Sequence, residues 1–232
     1  MTSSVIILGM LFCHLAYSMP VNDSHGVVRN ESFSGSYSGQ LGVDVSTSVS
    51  KSVFECLKSN GYSYAIVRAH YSGGGVDKNA APTIANAWAG GMSHVDAYLF
   101  PCYRCGDPAG QVSQTVDYLK EQGTRYGTLW LDIERNDWSS DKSLNQKFFK
   151  TMFDTARFHK ATGVYTSQYQ WGEIMGNDYT EGHSAPLWYP HYDNNPSFSD
   201  FEPFGGWSKP AIKQYDGNAF VCGAGIDKNY YP

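Results

Sequence analysis

Basic charge is scarce in this sequence. Lys and Arg account for 17 of 232 residues against 22 Asp and Glu, giving a net charge of −5. Nucleic-acid-binding surfaces are basic, and no Lys/Arg cluster offsets the deficit, so a nucleic-acid partner is not expected. Attraction to anionic bacterial surfaces through bulk charge is excluded on the same ground. Long apolar runs are also scarce. The one at residues 5–17 is too short for a comfortable membrane span. The seven histidines show no paired ligand spacing, and the lone Cys-x-x-Cys has no second pair at metal spacing. No metal and no cofactor are therefore expected. The Gly-rich turn that follows the first strand of a nucleotide-binding sheet is missing too. Gly73-Gly74-Gly75 follows a later strand and leads into Val76-Asp77-Lys78, not directly into a helix.

What is present suits a large core: 41% of residues are hydrophobic and only 17% are charged. The length allows one large domain or two small ones. The apolar run ends near Ala16-Tyr17-Ser18, small residues at signal-peptidase spacing, so residues 1–18 read as a signal peptide. The mature chain is expected outside the cell or in the lysosomal lumen, free of the membrane and monomeric. Removing that segment discards Cys13 and leaves Cys56, Cys102, Cys105 and Cys222. Of the three possible connectivities, the expected one clips Cys102 to Cys105 and joins Cys56, on an early helix, to Cys222. Sequons at Asn22 and Asn30 offer glycosylation sites. Residues 19–39 are polar and Gly/Ser-rich at their end, which suits a flexible leader and places the folded domain at 40–232.

From Gln40 onward, strand-like and helix-like segments alternate. Strands are expected at 42–45, 64–69, 95–100, 127–134, 163–166, 186–189 and 211–215. Helices are expected at 49–60, 80–89, 109–122, 143–161 and 168–175, the longest with a stripe of Leu144, Phe148, Phe149, Met152 and Phe153. This order implies right-handed βαβ units and a mainly parallel sheet. Without a phosphate-binding turn, a closed α/β barrel is the preferred architecture.

The stretch Gly127-Thr128-Leu129-Trp130-Leu131-Asp132-Ile133-Glu134 is apolar and then carries two carboxylates. Strand alternation puts Asp132 and Glu134 on one face, with Cα atoms roughly 6–7 Å apart. Burying unpaired carboxylates is costly, whereas glycosidic hydrolysis needs one acid kept protonated and another ionised. Reactive residues of parallel barrels sit at the C-terminal strand ends. Those ends here are Asp44, Arg68 with His70, Tyr98 with Phe100, Asp132 with Glu134, Tyr165, Trp188 with Tyr189, and Gln214 with Asp216. Together they describe an acidic mouth lined by aromatics able to pack on sugar rings.

Gly42-Val43-Asp44-Val45-Ser46, Ala97-Tyr98-Leu99-Phe100, Leu131-Asp132-Ile133-Glu134, Val164-Tyr165-Thr166, Leu187-Trp188, Gln214-Tyr215 and Asp227-Lys228-Asn229-Tyr230-Tyr231 occur in that order. The ordered set resembles the family-25 glycoside hydrolases, the Chalaropsis-type lysozymes, from Gly42 nearly to the C-terminus. The resemblance implies an irregular, flattened β/α barrel that cleaves the β-1,4 bond between N-acetylmuramic acid and N-acetylglucosamine in peptidoglycan. It implies Glu134 as general acid, Asp132 as the residue orienting or stabilising the reacting centre, and Asp44 and Asp227 completing the cluster. Tyr98 and Trp188 match sugar-contacting positions. The chain departs from the family at Thr47-Ser48-Val49, usually occupied by an aromatic and a glutamine, and at Lys213, usually Trp. Two other readings stand beside this one. The first is a glycan-binding barrel with negligible turnover. The second is a chitinase, although chitinases carry upstream aspartates where this chain has Thr128 and Trp130.

Overall fold

The computed structural model describes residues 39–134 and 137–232 in full, and 19–22 and 28–31 by their backbone. The proposed signal peptide, Cys13, the side chains of Asn22 and Asn30, and residues 135–136 lie outside what is described. Two compact units result, 1–37 and 38–232. In the first, β1 (Met19–Asn22) and β2 (Val28–Glu31) pair antiparallel, a short ribbon in a stretch that reads in sequence as leader.

The second unit is a closed eight-stranded barrel in the order β10-β3-β4-β5-β6-β7-β8-β9. Its strands are β3 (Gln40–Val45), β4 (Tyr62–His70), β5 (His94–Leu99), β6 (Leu129–Asp132), β7 (Thr162–Tyr165), β8 (Leu187–Pro190), β9 (Ile212–Val221) and β10 (Ala224–Tyr231). From β3 to β9 each neighbouring pair is parallel, while β10 runs antiparallel to both β9 and β3 and closes the ring. The expected α/β barrel is therefore found, with an antiparallel closing strand that the sequence reading leaves out. The reason is legible in hindsight. Ala224–Tyr231 gives its inward positions to Asp227 and Asn229, so it lacks the apolar alternation that marks a strand.

Helices α1 (Lys51–Ser59), α2 (Ala80–Ala89), α3 (Pro108–Glu121), α4 (Lys142–His159) and α5 (Gln168–Ile174) link the parallel strands. Several are started by side-chain caps: Ser50 accepts from Val53 N, Asp107 from Gly110 N, and Asp141 from Ser143 N. Such caps satisfy amide donors that the first helical turn leaves free. In α4 the residues Phe148, Phe149, Met152 and Phe153 are buried as expected, but Leu144, in the first turn, is half exposed. The main core lies between helices and strands.

A second, smaller core fills the barrel itself: Tyr64, Ile66, Tyr98, Trp130, Tyr165, Trp188 and Ile212. Period-two alternation sends these residues inward from their strands while their sequence neighbours join the outer core. Two glycines make room for the large rings. A Cβ on Gly163 would lie 2.3 Å from the Trp130 ring, and one on Gly42 would lie 2.3 Å from Tyr64. The disulfides Cys56–Cys222 and Cys102–Cys105 are both formed. The first ties α1 to the turn joining β9 and β10. Among the described residues, no helix is long and apolar enough to cross a membrane.

Candidate active site

Asp44 is the last residue but one of β3, Asp132 ends β6, and Asp227 lies on β10 directly opposite Asp44 in the antiparallel register. The strand carrying Asp132 stops there, two residues earlier than expected. Ile133 nevertheless keeps the extended path, donating its N–H to Tyr165 O (2.8 Å) and accepting from Thr166 Oγ1 (2.8 Å). Ile133 is fully buried in the outer core and Asp132 is buried at the mouth, so the alternation persists and brings Glu134 back toward Asp132.

The four acids meet in a setting that disfavours ionisation. Burial pushes Asp44 up to about 6, against hydrogen bonds from Asn229 and Gln214 that lower it. Burial and the charge of Asp44 push Asp227 up to about 8. Burial, then Glu134 and Asp44, hold Asp132 well above the carboxylate range, and burial and Asp44 raise Glu134. Desolvation and like charge act in one direction at all four. Among the described residues, none of the four makes an ion pair with Lys, Arg or His. Asp132 Oδ1 is buried without a hydrogen-bond partner. An orphaned carboxylate oxygen costs stability, and it is kept where a ligand will meet it.

An amide network fixes the cluster. Gln214 Nε2 donates to Asp44 Oδ2 (2.8 Å) and to Asp227 Oδ2 (3.3 Å). Its Oε1 accepts from Tyr165 Oη and Tyr192 Oη, both at 2.8 Å. With two phenols on its oxygen, the amide can turn only its NH₂ toward the acids. Asn229 Nδ2 donates to Asp44 Oδ2 (2.7 Å), and Asn229 Oδ1 accepts from Trp188 Nε1 (2.8 Å). Tyr192 is absent from the sequence-level list of site residues, since it lies in a loop after β8 without a motif. Asn229 stands in the quoted closing motif, but nothing in sequence assigned it a role.

The other expected site residues divide. Tyr98, Tyr165 and Phe100 flank the acids or the interior core beneath them. Trp188 is 2% exposed and packs edge-on against Tyr98, Tyr165 and Trp130. It is a floor to the mouth, beneath the position where the resemblance places a sugar contact. Arg68 points toward Tyr98 but is committed to Asp77 through Nε and one Nη, both at 3.0 Å. Tyr189 is a correction: it lies in the outer core, its hydroxyl bonded to Asp200. Alternation makes this unavoidable once Trp188 points inward. His70 is structural, bonded to Phe100 O and Gly75 N, and Asp216 pairs with Lys228 at 2.9 Å.

A second acid cluster lies nearby. Lys213, with a fully buried side chain, places Nζ 2.7 Å from Asp193 Oδ2 and 2.6 Å from Asp200 Oδ1. His191 also bonds Asp200 through Nδ1. His191, Asp193 and Asp200 come within 4.8 Å of one another, close enough to hold a metal. The lysine ammonium already bridges the two carboxylates and offsets one of their two charges, so the cluster reads as structural.

A closed β/α barrel with buried and half-buried carboxylates gathered at one end, unpaired with any cation among the described residues, is an arrangement that suits glycoside hydrolysis. The comparisons agree. The family model described as lysozyme-like protein 1 matches residues 35–215. "Probable GH family 25 lysozyme 2" of Dictyostelium discoideum is 49% identical over 192 residues, covering 82% of this chain and 90% of that protein. "The structure of a family GH25 lysozyme from Aspergillus fumigatus" superposes with a TM-score of 0.69 at 19% identity, covering 84% and 94% of the two chains. The autolysin LytC of Streptococcus pneumoniae, solved in complex with a synthetic peptidoglycan ligand, gives 0.65 at 17% identity, covering 93% of this chain and 52% of its own. The chain belongs to the family-25 lysozymes and is a glycoside hydrolase of the muramidase type.

Proposed function

We propose that the chain hydrolyses the β-1,4 bond between N-acetylmuramic acid and N-acetylglucosamine in bacterial peptidoglycan. The observation that carries this reading is the set of four carboxylates at one barrel end, held above their ordinary range without a cation beside them. Glu134, less enclosed than Asp132, is raised by burial and by the charge of Asp44, the direction a general acid needs to deliver a proton to the leaving oxygen. Asp132, buried behind it with one free oxygen, faces the positive charge that develops on the sugar ring. The charge of Asp44 adds to the burial that raises Glu134, and Gln214 and Asn229 hold Asp44 and Asp227 in place. The two disulfides support action in an oxidising compartment, outside the cell or in the lysosomal lumen. Defence against bacteria and digestion of them both fit that location.

The test is the reducing-end product released from purified, de-acetylated peptidoglycan, wild type beside Glu134→Gln. New muramic-acid reducing ends from wild type alone support the reading. No new ends from either protein, with binding retained, would leave a glycan-binding barrel and overturn it. Preference for chitin oligomers would move the substrate assignment to chitin.

A further inference from the structure

The barrel has a second opening, at the end opposite the acids. Gln40 and His94 begin β3 and β5, Thr128, Pro186 and Ala211 directly precede β6, β8 and β9, and Tyr231 ends the antiparallel β10. These residues rim a cavity of about 380 Å³, within the roughly 300–1,000 Å³ typical of ligand pockets. Tyr64, Trp130 and Ile212 of the interior core complete its lining. The N-terminal face of a parallel barrel ordinarily serves stability.

Two features set this cavity apart from a plug. The Tyr64 hydroxyl is buried without a hydrogen-bond partner, and burial keeps it neutral, so it retains a proton to donate. An orphan of that kind costs stability until a ligand meets it. The second feature is a polarised pair. Asp96 is 4% exposed and both its oxygens are taken, Oδ1 by His94 Nε2 and Thr128 N at 2.7 Å each, Oδ2 by Trp130 Nε1 at 2.9 Å. Gly127 leaves room for the pair, since a Cβ there would lie 2.5 Å from Asp96 Oδ1 and 2.6 Å from the His94 ring. His94 is half exposed, and its hydrogen bond to Asp96 raises it toward the imidazolium. Among the described residues, nothing is bonded to its Nδ1. The titratable groups lining the cavity beside it are Asp96 and the phenols of Tyr64 and Tyr231. With Asp96 saturated, His94 Nδ1 and the Tyr64 hydroxyl are left to donate to an acceptor, and the apolar lining is left for a hydrocarbon or aromatic body.

We propose that this cavity binds a small carboxylate with an apolar body, its head taken by His94 and the Tyr64 hydroxyl and its body by Ile212 and Tyr231. The site is separate from the acids and does not depend on the hydrolysis reading. In the full chain, phenylacetate is titrated beside its uncharged counterpart phenylethanol, following the His94 ring and Trp130 indole N–H resonances. The acid is expected to move both with a Kd of about 1 mM or below, and the alcohol to bind about tenfold more weakly. A tetramer of N-acetylglucosamine in excess leaves the titration unchanged. His94→Gln lowers affinity for the acid about tenfold and keeps peptidoglycan hydrolysis within about twofold of wild type. Tyr64→Phe lowers it about threefold while Tm stays at or above the wild-type value, because the free protein loses only an orphan. Absence of shifts up to about 10 mM acid overturns the site. Displacement by the tetramer, equal affinity for acid and alcohol, or unchanged affinity in both variants overturns it as well.

Discussion

Two acid clusters sit a few residues apart in this molecule, and they behave oppositely. At Asp193 and Asp200, the buried Lys213 ammonium donates to both carboxylates, and Asp200 is held below its ordinary range by its hydrogen bonds from Lys213 and His191, despite the burial that would raise it. At the mouth, neutral amides hold Asp44 and Asp227, no cation among the described residues pairs with any of the four carboxylates, and all four are pushed up. Two things differ: the lysine, and burial, since Asp193 and Asp200 keep 25% and 18% of their side chains exposed while Asp44 and Asp132 are buried. A carboxylate group that is paired holds the fold together. A group left unpaired stores protons.

The largest expected effect is on catalysis. Glu134→Gln removes the transferable proton and keeps the shape, so activity falls about 10²–10⁴-fold while thermal unfolding stays near wild type. Lys213→Met inverts the pattern. It leaves two part-exposed carboxylates facing each other without the cation they both bond, an expected cost of about 3 kcal/mol. For a chain of this size that lowers Tm by roughly 6–12 °C, read by calorimetry at pH 7.

The two clusters also differ in the sign of their pH dependence. Asp227 has a folded value of about 8 against an ordinary 3.8. Its proton therefore favours the folded state fully below about pH 4, and that contribution is lost as pH rises toward 8. Asp227→Asn escapes this loss, so it is expected to be more stable than wild type at pH 9, with the difference vanishing near pH 4. Asp200 runs the other way. Its value is depressed, so its contribution is present at neutral pH and lost as acid titrates it. Denaturant melts across pH 4–9 measure both trends.

The smallest effect belongs to the network between the clusters. Tyr192→Phe deletes one of two phenols on Gln214 Oε1, a bond worth about 1 kcal/mol. The amide keeps Tyr165, so activity is expected to fall only severalfold, with a shifted pH profile and a Tm lowered by about 2–4 °C.

The sequence made some of this legible and hid the rest for physical reasons. The βα alternation and the Asp132–Ile133–Glu134 pattern were readable because outer-core residues must be apolar, leaving the inward acids conspicuous. The closing strand β10 was hidden because its inward face serves the site. Tyr189 was misplaced because two adjacent aromatics at a strand end look alike until one is known to point inward. Lys213 was noticed as a departure, but its meaning depended on Asp193 and Asp200, whose pairing with it is a matter of loop geometry. Tyr192 had no sequence signal at all; a tyrosine in a polar loop looks like surface until Gln214 is seen beneath it.

The most direct test of the account is a carbon-detected NMR titration that follows the side-chain carboxyl resonances of both clusters in one sample. The account expects Asp200 to be ionised at pH 5 while the mouth group still holds protons at pH 6. All four mouth carboxyls titrating near pH 4, alongside Asp200, would contradict it.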